Sequence, residues 1–328
     1  MAKILVTGGA GYIGSHTVKH LLDAGYQVVV LDNLYSGHRW AVDNRAEFIE
    51  GNAGSAKTVL GVFKEHSISA IVHFAGHIVV PESVSDPLKY YRNNCEVTQT
   101  LASLASENNI NRFIFSSSAA VYGNPERVPV SEGDPTNPIS PYGRTKLISE
   151  WMLEDLSEAS EAFDYVALRY FNVAGAAIDG SLGQATPEAT HLIKVASELV
   201  TGKRDKMAIF GDDYATHDGT CVRDYIHIED LAAAHVSALR YLEKGEKSNV
   251  FNCGYGDGFS VKQVLDEVQR LADEPLMIEQ QSRRVGDPAE LIAANAKILT
   301  VLDWQPKYQD LKLICETALS WEKSYNAK

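Results

Sequence analysis

Four of the eight residues in Thr7–Gly14, TGGAGYIG, are glycine, and they follow directly on the apolar run Ile4-Leu5-Val6. A strand that runs into such a segment leaves its sheet through a tight bend, and side chains are missing where the backbone must come close to something else. Gly8, Gly11 and Gly14 recur every three residues, while Gly9, Gly11 and Gly14 also satisfy GxGxxG. Between a strand and a helix, that spacing leaves room for a pyrophosphate on the helix N-terminus. A second apolar run, 27–32, ends in Asp32, eighteen residues past Gly14. A carboxylate there accepts from adenosine ribose hydroxyls and repels a 2′-phosphate, so the pattern predicts a dinucleotide, NAD rather than NADP.

The stretches that follow alternate between strand and helix. Strands are predicted at 3–7, 27–32, 46–49, 69–74, 112–116 and 164–171, and helices at 11–24, 55–65, 88–107 and 141–158. Such alternation implies an α/β fold, a Rossmann-type doubly wound parallel sheet covered on both faces. After Asn172 the rhythm loosens into a Gly-rich loop at 175–183, a helix at 229–243, a strand at 249–253 and helices at 260–272 and 309–324. The expected division is a cofactor domain, 1–172, and a smaller mixed α/β substrate-binding domain, 173–328, with segments near 225–255 returning to the first sheet.

Composition narrows the function classes. Lys plus Arg number 30 against 43 Asp plus Glu, a net charge of −13 that disfavours a nucleic-acid surface and leaves any anionic ligand to local arginines. No apolar run approaches the roughly 18 residues of a membrane span, and Met1-Ala2-Lys3 leads into a strand rather than a secretory signal. Cys95, Cys221, Cys253 and Cys315 are far apart and show neither metal-ligand spacing nor a disulfide framework, so a cytoplasmic protein without metal is expected.

Tyr142-Gly-Arg-Thr-Lys146 places a phenol and an ammonium four residues apart, on one helix face. For a tyrosine to act as a base near neutrality its pKa must fall about three units, roughly 4 kcal/mol in favour of phenolate. The ammonium and a positively charged nicotinamide together are expected to supply this. Tyr308 and Lys312 repeat the spacing but have no glycine loop or serine run behind them, and read as a solvated helix face. The first copy follows Ser116-Ser117-Ser118, whose last hydroxyl can bond a reacting oxygen.

With the strings Arg169-Tyr-Phe-Asn172 and Val222-Arg-Asp-Tyr-Ile-His227, the chain resembles the extended short-chain dehydrogenase/reductases, and among them the UDP-hexose 4-epimerases, from Lys3 to about Trp321. The resemblance implies tightly held NAD and inversion at C4 of a UDP-hexose through a 4-keto intermediate, interconverting UDP-galactose and UDP-glucose. It implies Tyr142 as base, Lys146 at the nicotinamide ribose and Ser118 at the sugar O4. Further cofactor contacts implied by position are Tyr12, Ile13, Asn33, Asn52, Phe74, Ala75, Asn93, Tyr170 and Phe171. UDP would lie against Asn172, Leu192, Arg223, Arg284 and Asp287. A homodimer through the helices 88–107 and 141–158 is also implied, with no nucleic-acid or membrane partner.

Several positions depart from that family pattern. Asn52 stands for a usual aspartate, Ile78 for a frequent lysine, and His191 for an asparagine beside the uracil; Leu291 is intermediate between the tyrosine and the small residues that relatives carry there. Leu291 leaves N-acetylhexosamine substrates open. A sugar-nucleotide dehydratase on this scaffold needs an acid pair just after Ser118, where Ala119-Ala120 stand. A reductase that releases its nicotinamide each turn uses the same serine, tyrosine and lysine and stays open, whereas the intact trio argues against a non-catalytic NAD sensor.

Overall fold

The structure is a computed structural model that describes residues 3–284 and 287–326; Met1 and Ala2 lie outside the described residues. Six parallel strands, β1 (Lys3–Thr7), β2 (Gln27–Asp32), β3 (Glu47–Glu50), β4 (Ile68–His73), β5 (Arg112–Ser118) and β6 (Asp164–Tyr170), join the later strand Asn249–Cys253 in one sheet. The spatial order is Asn249–Cys253, β6, β5, β4, β1, β2, β3. The strand interiors are apolar at successive positions because both faces are covered. Ile4 and Val6 pack into one buried cluster with Leu231 and Leu239 of the helix Ile228–Glu243, while Leu5 between them packs into another with Val59 and Leu101.

Strand order also fixes where a ligand can sit. The chain runs from β1 outward to β2 and β3, then returns to the other side of β1 to form β4. The loops after β1 and β4 therefore diverge and open a crevice at the carboxyl ends of the strands. The helix α1 (Tyr12–Asp23) begins at this crevice.

The stretch 88–107 is one continuous helical run, as the sequence suggests, but it widens into a π-helical segment, Tyr91–Glu96, between Pro87–Tyr90 and Val97–Glu107, and a short helix Val80–Ser85 precedes it. Pro87 starts a new turn capped by the Asp86 side chain, and the Asn94 side chain turns inward to bond other segments, so the pattern of one regular helix is interrupted. β5 extends two residues past its predicted end because Ser117 and Ser118 pair with Arg169 and Tyr170 of β6.

In the second half, Asn172–Ala174 pairs with Tyr225–His227, Met207–Phe210 with Ile278–Gln281, and Val222–Arg223 lies between Phe259–Ser260 and Glu290–Leu291. These strands, and the helix Leu192–Val200, carry too short a period to be read from sequence. Buried Asp224, between Val222–Arg223 and Tyr225–His227, accepts from the backbone N–H groups of Tyr255 (3.0 Å), Gly256 (2.9 Å) and Ala293 (3.2 Å). Burial pushes its carboxyl up to about 6 against the pull of those donors. No helix among the described residues is long and apolar enough to cross a membrane.

Candidate active site

The helix Pro141–Ala159 starts where it does because Ser140 accepts from the Gly143 N–H (3.1 Å) and Pro141 occupies the first turn, where a missing N–H costs nothing. One turn separates Tyr142 from Lys146, and both are buried. The Lys146 ammonium donates to the Ser116 carbonyl at 2.7 Å and lies 5.9 Å from the centre of the Tyr142 ring. Burial lowers the Lys146 pKa to about 8, while the neighbouring Cys95 and Glu150 draw it back up. Burial raises Tyr142, and the hydroxyl of Ser118 pulls it down. The acidic tyrosine expected from sequence is thus not made by the protein groups alone; it calls for the positive charge of the nicotinamide. Ser118 Oγ accepts from the Ala120 N–H at 3.2 Å, which leaves its own hydrogen to donate.

A buried polar floor supports these groups. Glu150, one turn beyond Lys146, accepts from Ser117 Oγ and from Arg169 Nε at 3.0 Å. Arg169 in turn donates to the Tyr122 hydroxyl (2.9 Å), which donates to Asn252 (2.7 Å). On the other side, Asn94 accepts from His77 N (2.8 Å), donates to His77 O (3.1 Å) and donates to Thr145 Oγ1 (3.0 Å). It thereby ties the loop after β4 to the turn of helix between Tyr142 and Lys146. His73 bridges Thr7 (2.7 Å) and Thr98 (3.1 Å), and burial lowers it to about 3, which keeps the imidazole neutral. Sequence reasoning missed Glu150, Asn94 and His73 as supports; the one available signal was polar residues at positions where strand or helix patterns call for apolar ones.

One cavity of about 1190 Å³ runs along the crevice. At its start Gly8 has a φ of +72°, and a Cβ there would come within 2.6 Å of Ala75 N; a Cβ on Gly14 would meet Gly8 O at 2.2 Å. These glycines let the loop bend and let α1 pack on the strand end. Gly11 precedes α1 without any side-chain cap, so the first-turn N–H groups at Tyr12, Ile13 and Gly14 stay available at the cavity wall. Asp32 is held by Ala10 N (2.9 Å) and Leu34 N (2.8 Å), each oxygen accepting one bond and keeping a lone pair for a diol. Uncapped amides beside a backbone-fixed carboxylate are the donor and acceptor set that a dinucleotide requires, and the residues fit NAD.

Asn33, Asn52, Phe74, Ala75, Asn93, Tyr170 and Phe171 line the same cavity. Three of them are engaged locally: Asn33 Oδ1 accepts from Tyr35 N (3.1 Å), Asn52 Oδ1 from Gly54 N (2.8 Å), and Asn93 Nδ2 donates to Asn94 Oδ1 (3.4 Å). The Tyr12 hydroxyl reaches out of the loop to donate to Gly175 O (2.7 Å), and Tyr170 bonds Ser116 Oγ. Lys146 is the one predicted residue set back from the cavity wall, behind Tyr142.

Asn172, Leu192, Arg223, Arg284 and Asp287 line the far end of the cavity. Arg223 donates to the carbonyl of Val222 (2.9 Å), and the Arg284 guanidinium lies 3.7 Å from the centre of the Phe210 ring. Among the described residues neither pairs with a carboxylate, so neither serves as a surface ion pair. His191 bonds the Gln184 amide at 3.0 Å, and Ile78 lines the wall beside His77. Leu291 is buried with Ala119, Val121, Leu147 and Phe171 and lines the same cavity as Ser118 and Tyr142.

A doubly wound sheet with an uncapped glycine loop, a backbone-fixed carboxylate and a Ser/Tyr/Lys set whose tyrosine and lysine are buried defines a dinucleotide-dependent enzyme of the short-chain dehydrogenase type. Residues 4–254 match the NAD dependent epimerase/dehydratase family, and the chain belongs to it. It is 50% identical over 322 residues to UDP-glucose 4-epimerase of Azospirillum brasilense, covering 98% of this chain and 92% of that one. The crystal structure of UDP-glucose 4-epimerase from Brucella ovis in complex with NAD is 44% identical with a TM-score of 0.94, covering 98% of each chain. The UDP-Glc/GlcNAc 4-epimerase of Campylobacter jejuni is 49% identical with a TM-score of 0.87, covering 99% of this chain and all, 100%, of that one.

Proposed function

We infer that this chain is an NAD-dependent epimerase that interconverts UDP-galactose and UDP-glucose. The observation that carries the reading is that one cavity joins the uncapped glycine loop, the buried Tyr142 with Ser118 beside it, and two arginines that pair with no carboxylate among the described residues. NAD bound along the glycine loop and Asp32 would supply a reversible two-electron acceptor for the hydride of sugar C4.

The chain's own residues do the rest. Tyr142 accepts the proton of the 4-hydroxyl and returns it after the 4-keto sugar has turned over. Lys146, held on the Ser116 carbonyl behind Tyr142, places its ammonium beside the phenol and favours the phenolate. Ser118, its oxygen occupied by Ala120 N–H, donates its hydrogen to the sugar O4. The remaining cofactor contacts are those named along the cavity, from Gly8, Gly11 and Asp32 to Asn93 and Phe171. Arg223 and Arg284 hold the diphosphate as forked donors, with Asn172, Leu192 and Asp287 around the nucleoside. Fixing the ligand through its nucleotide leaves the hexose free to rotate, which inversion demands. Ala119 and Ala120 provide no acid pair, so the dehydratase alternative is not favoured.

The reading includes a cytoplasmic homodimer and division at 172/173 into a cofactor-binding and a UDP-sugar-binding part. In support of the dimer, Val84, Leu88 and Trp151 present apolar side chains to solvent on helices that pack against one another. The test of the function is to mix purified protein with UDP-galactose and add no nicotinamide. UDP-glucose is expected to form; strict dependence on added NADPH would refute epimerisation by a resident cofactor.

A further inference from the structure

The segment after β2 does more than carry Asp32 and Asn33. His38 N donates to Ala10 O at 2.9 Å, which pins the segment on the glycine loop. Tyr35 then reaches past β1 to the other wall of the crevice: its ring centre is 4.9 Å from that of His77, and its hydroxyl accepts from Lys89 Nζ at 3.2 Å. His77 follows β4 and Lys89 lies in Pro87–Tyr90, whereas Tyr35 comes from beyond β2. Since β1 stands between β4 and β2, this contact joins the two sides of the crevice, and Tyr35, Ser36, Gly37 and His77 all line its cavity. Lys89 is itself steadied by Glu82, which also accepts from the Tyr90 hydroxyl at 2.8 Å.

The other end of the segment is fastened to the second half of the chain. Trp40 stacks between His38 (5.3 Å) and Trp321 (5.8 Å), and Trp321 stacks on Tyr325 (5.5 Å), both on the C-terminal helix Leu311–Asn326. His38 Nε2 bonds Ala185 O at 3.0 Å. Tyr35 and Trp40 are 64% and 48% exposed, so neither is held there by core packing; what each contributes is its contact with a segment on the far side.

We propose that residues 33–42 form a strap closed over the bound dinucleotide, and that Tyr35 and Trp40 are its two latches. The inference rests on the reading of the cleft as an NAD site. Cofactor leaves or enters only when the strap lifts. Because the Trp40 latch closes on the C-terminal helix, lifting also parts the strap from the segment that carries Trp321 and Tyr325. An ordinary ligand contact affects escape alone, whereas a strap slows escape and entry together.

The test is an exchange measurement on full-length protein loaded with radiolabelled NAD and chased with excess unlabelled NAD, paired with the association rate on nucleotide-stripped protein. Tyr35→Ala and Trp40→Ala are each expected to speed release roughly tenfold, the loss of one aromatic contact, and to speed association in parallel. Tyr35→Phe, which keeps the ring on His77, is expected to stay nearer the unaltered protein. Thermal unfolding of each variant checks that the core is intact. Unchanged release in both alanine variants would overturn the strap, and so would faster release with unchanged association. Unaltered protein that takes up no NAD would instead sink the reading of the cleft, and the strap with it.

Discussion

The two ends of the cavity are built on opposite plans. Beneath Tyr142, the side chains of Lys146, Glu150, Arg169, Ser117 and Tyr122 are buried and bonded to one another or to backbone. At the nucleotide end, Arg223 and Arg284 hold positive charge at the wall without a carboxylate among the described residues. The first plan fixes the proton-transferring groups before any ligand arrives, and the second keeps strong donors in reserve for an anion. Charge is thus spent on rigidity where chemistry takes place and on attraction where binding takes place. On the proposed reading the sugar would lie between them, where Ser118, Phe171 and Leu291 line the cavity.

The largest effect that would break this contrast is on the base. Tyr142→Phe is expected to lower turnover by roughly 10²–10⁴-fold, the range for a positioned general base, and to leave UDP-sugar binding close to that of the unaltered protein. Steady-state kinetics beside calorimetric binding checks it; loss of binding in proportion would merge the two ends into one.

Next comes the floor. Glu150→Ala leaves Arg169 buried without its partner and is expected to cost about 3–5 kcal/mol of stability, read by denaturant unfolding. Replacing both residues with methionine is expected to recover most of that loss, because the penalty belongs to the orphaned charge. A double variant as unstable as the single one would mean that the pair does more than fill the floor.

The Lys146 ammonium gives a pH signature. Its pKa is lowered to about 8 in the folded protein and is near 10.4 in the unfolded chain, so between those values the unfolded state binds more protons and stability rises with pH. The full cost, on the order of 3 kcal/mol, is present below pH 8. Nucleotide-stripped Lys146→Met is therefore expected to be more stable than the unaltered protein at pH 7, by a margin that shrinks towards pH 10.5. Denaturant unfolding across that range reads the margin.

At the nucleotide end, Arg223→Ala and Arg284→Ala are each expected to raise KM by roughly 10- to 100-fold, the worth of a hydrogen bond to a charged group. The unfolding midpoint and kcat are expected to move little. A large loss of stability in either variant would place these arginines in the floor's class and erase the comparison.

How far the sequence revealed each region follows the same division. The glycine loop, Asp32 and the Tyr142/Lys146 pair are local patterns, each complete within one strand–helix unit, so spacing exposes them. The floor is non-local: Ser117, Glu150, Arg169, Tyr122 and Asn252 come from separate stretches and meet only when β5, β6 and the helix Pro141–Ala159 are packed. Asn94 lies in a stretch that reads as an ordinary helix, and nothing in the sequence says that its side chain leaves the helix surface to clamp His77 and Thr145. Tyr142 shows the limit from the other side: its place was legible, but its acidity depends on burial that spacing does not report. The nucleotide end emerged through resemblance, because strands of two to four residues carry no period.

Epimerisation with a resident cofactor requires that the hydrogen removed from C4 come back to the same carbon. UDP-galactose deuterated at C4, incubated with the purified protein in ordinary water without added nucleotide, tests this most directly by mass spectrometry and NMR of the product. UDP-glucose with the deuterium retained at C4 and none released to solvent is expected. Product that has lost the label to water would contradict it.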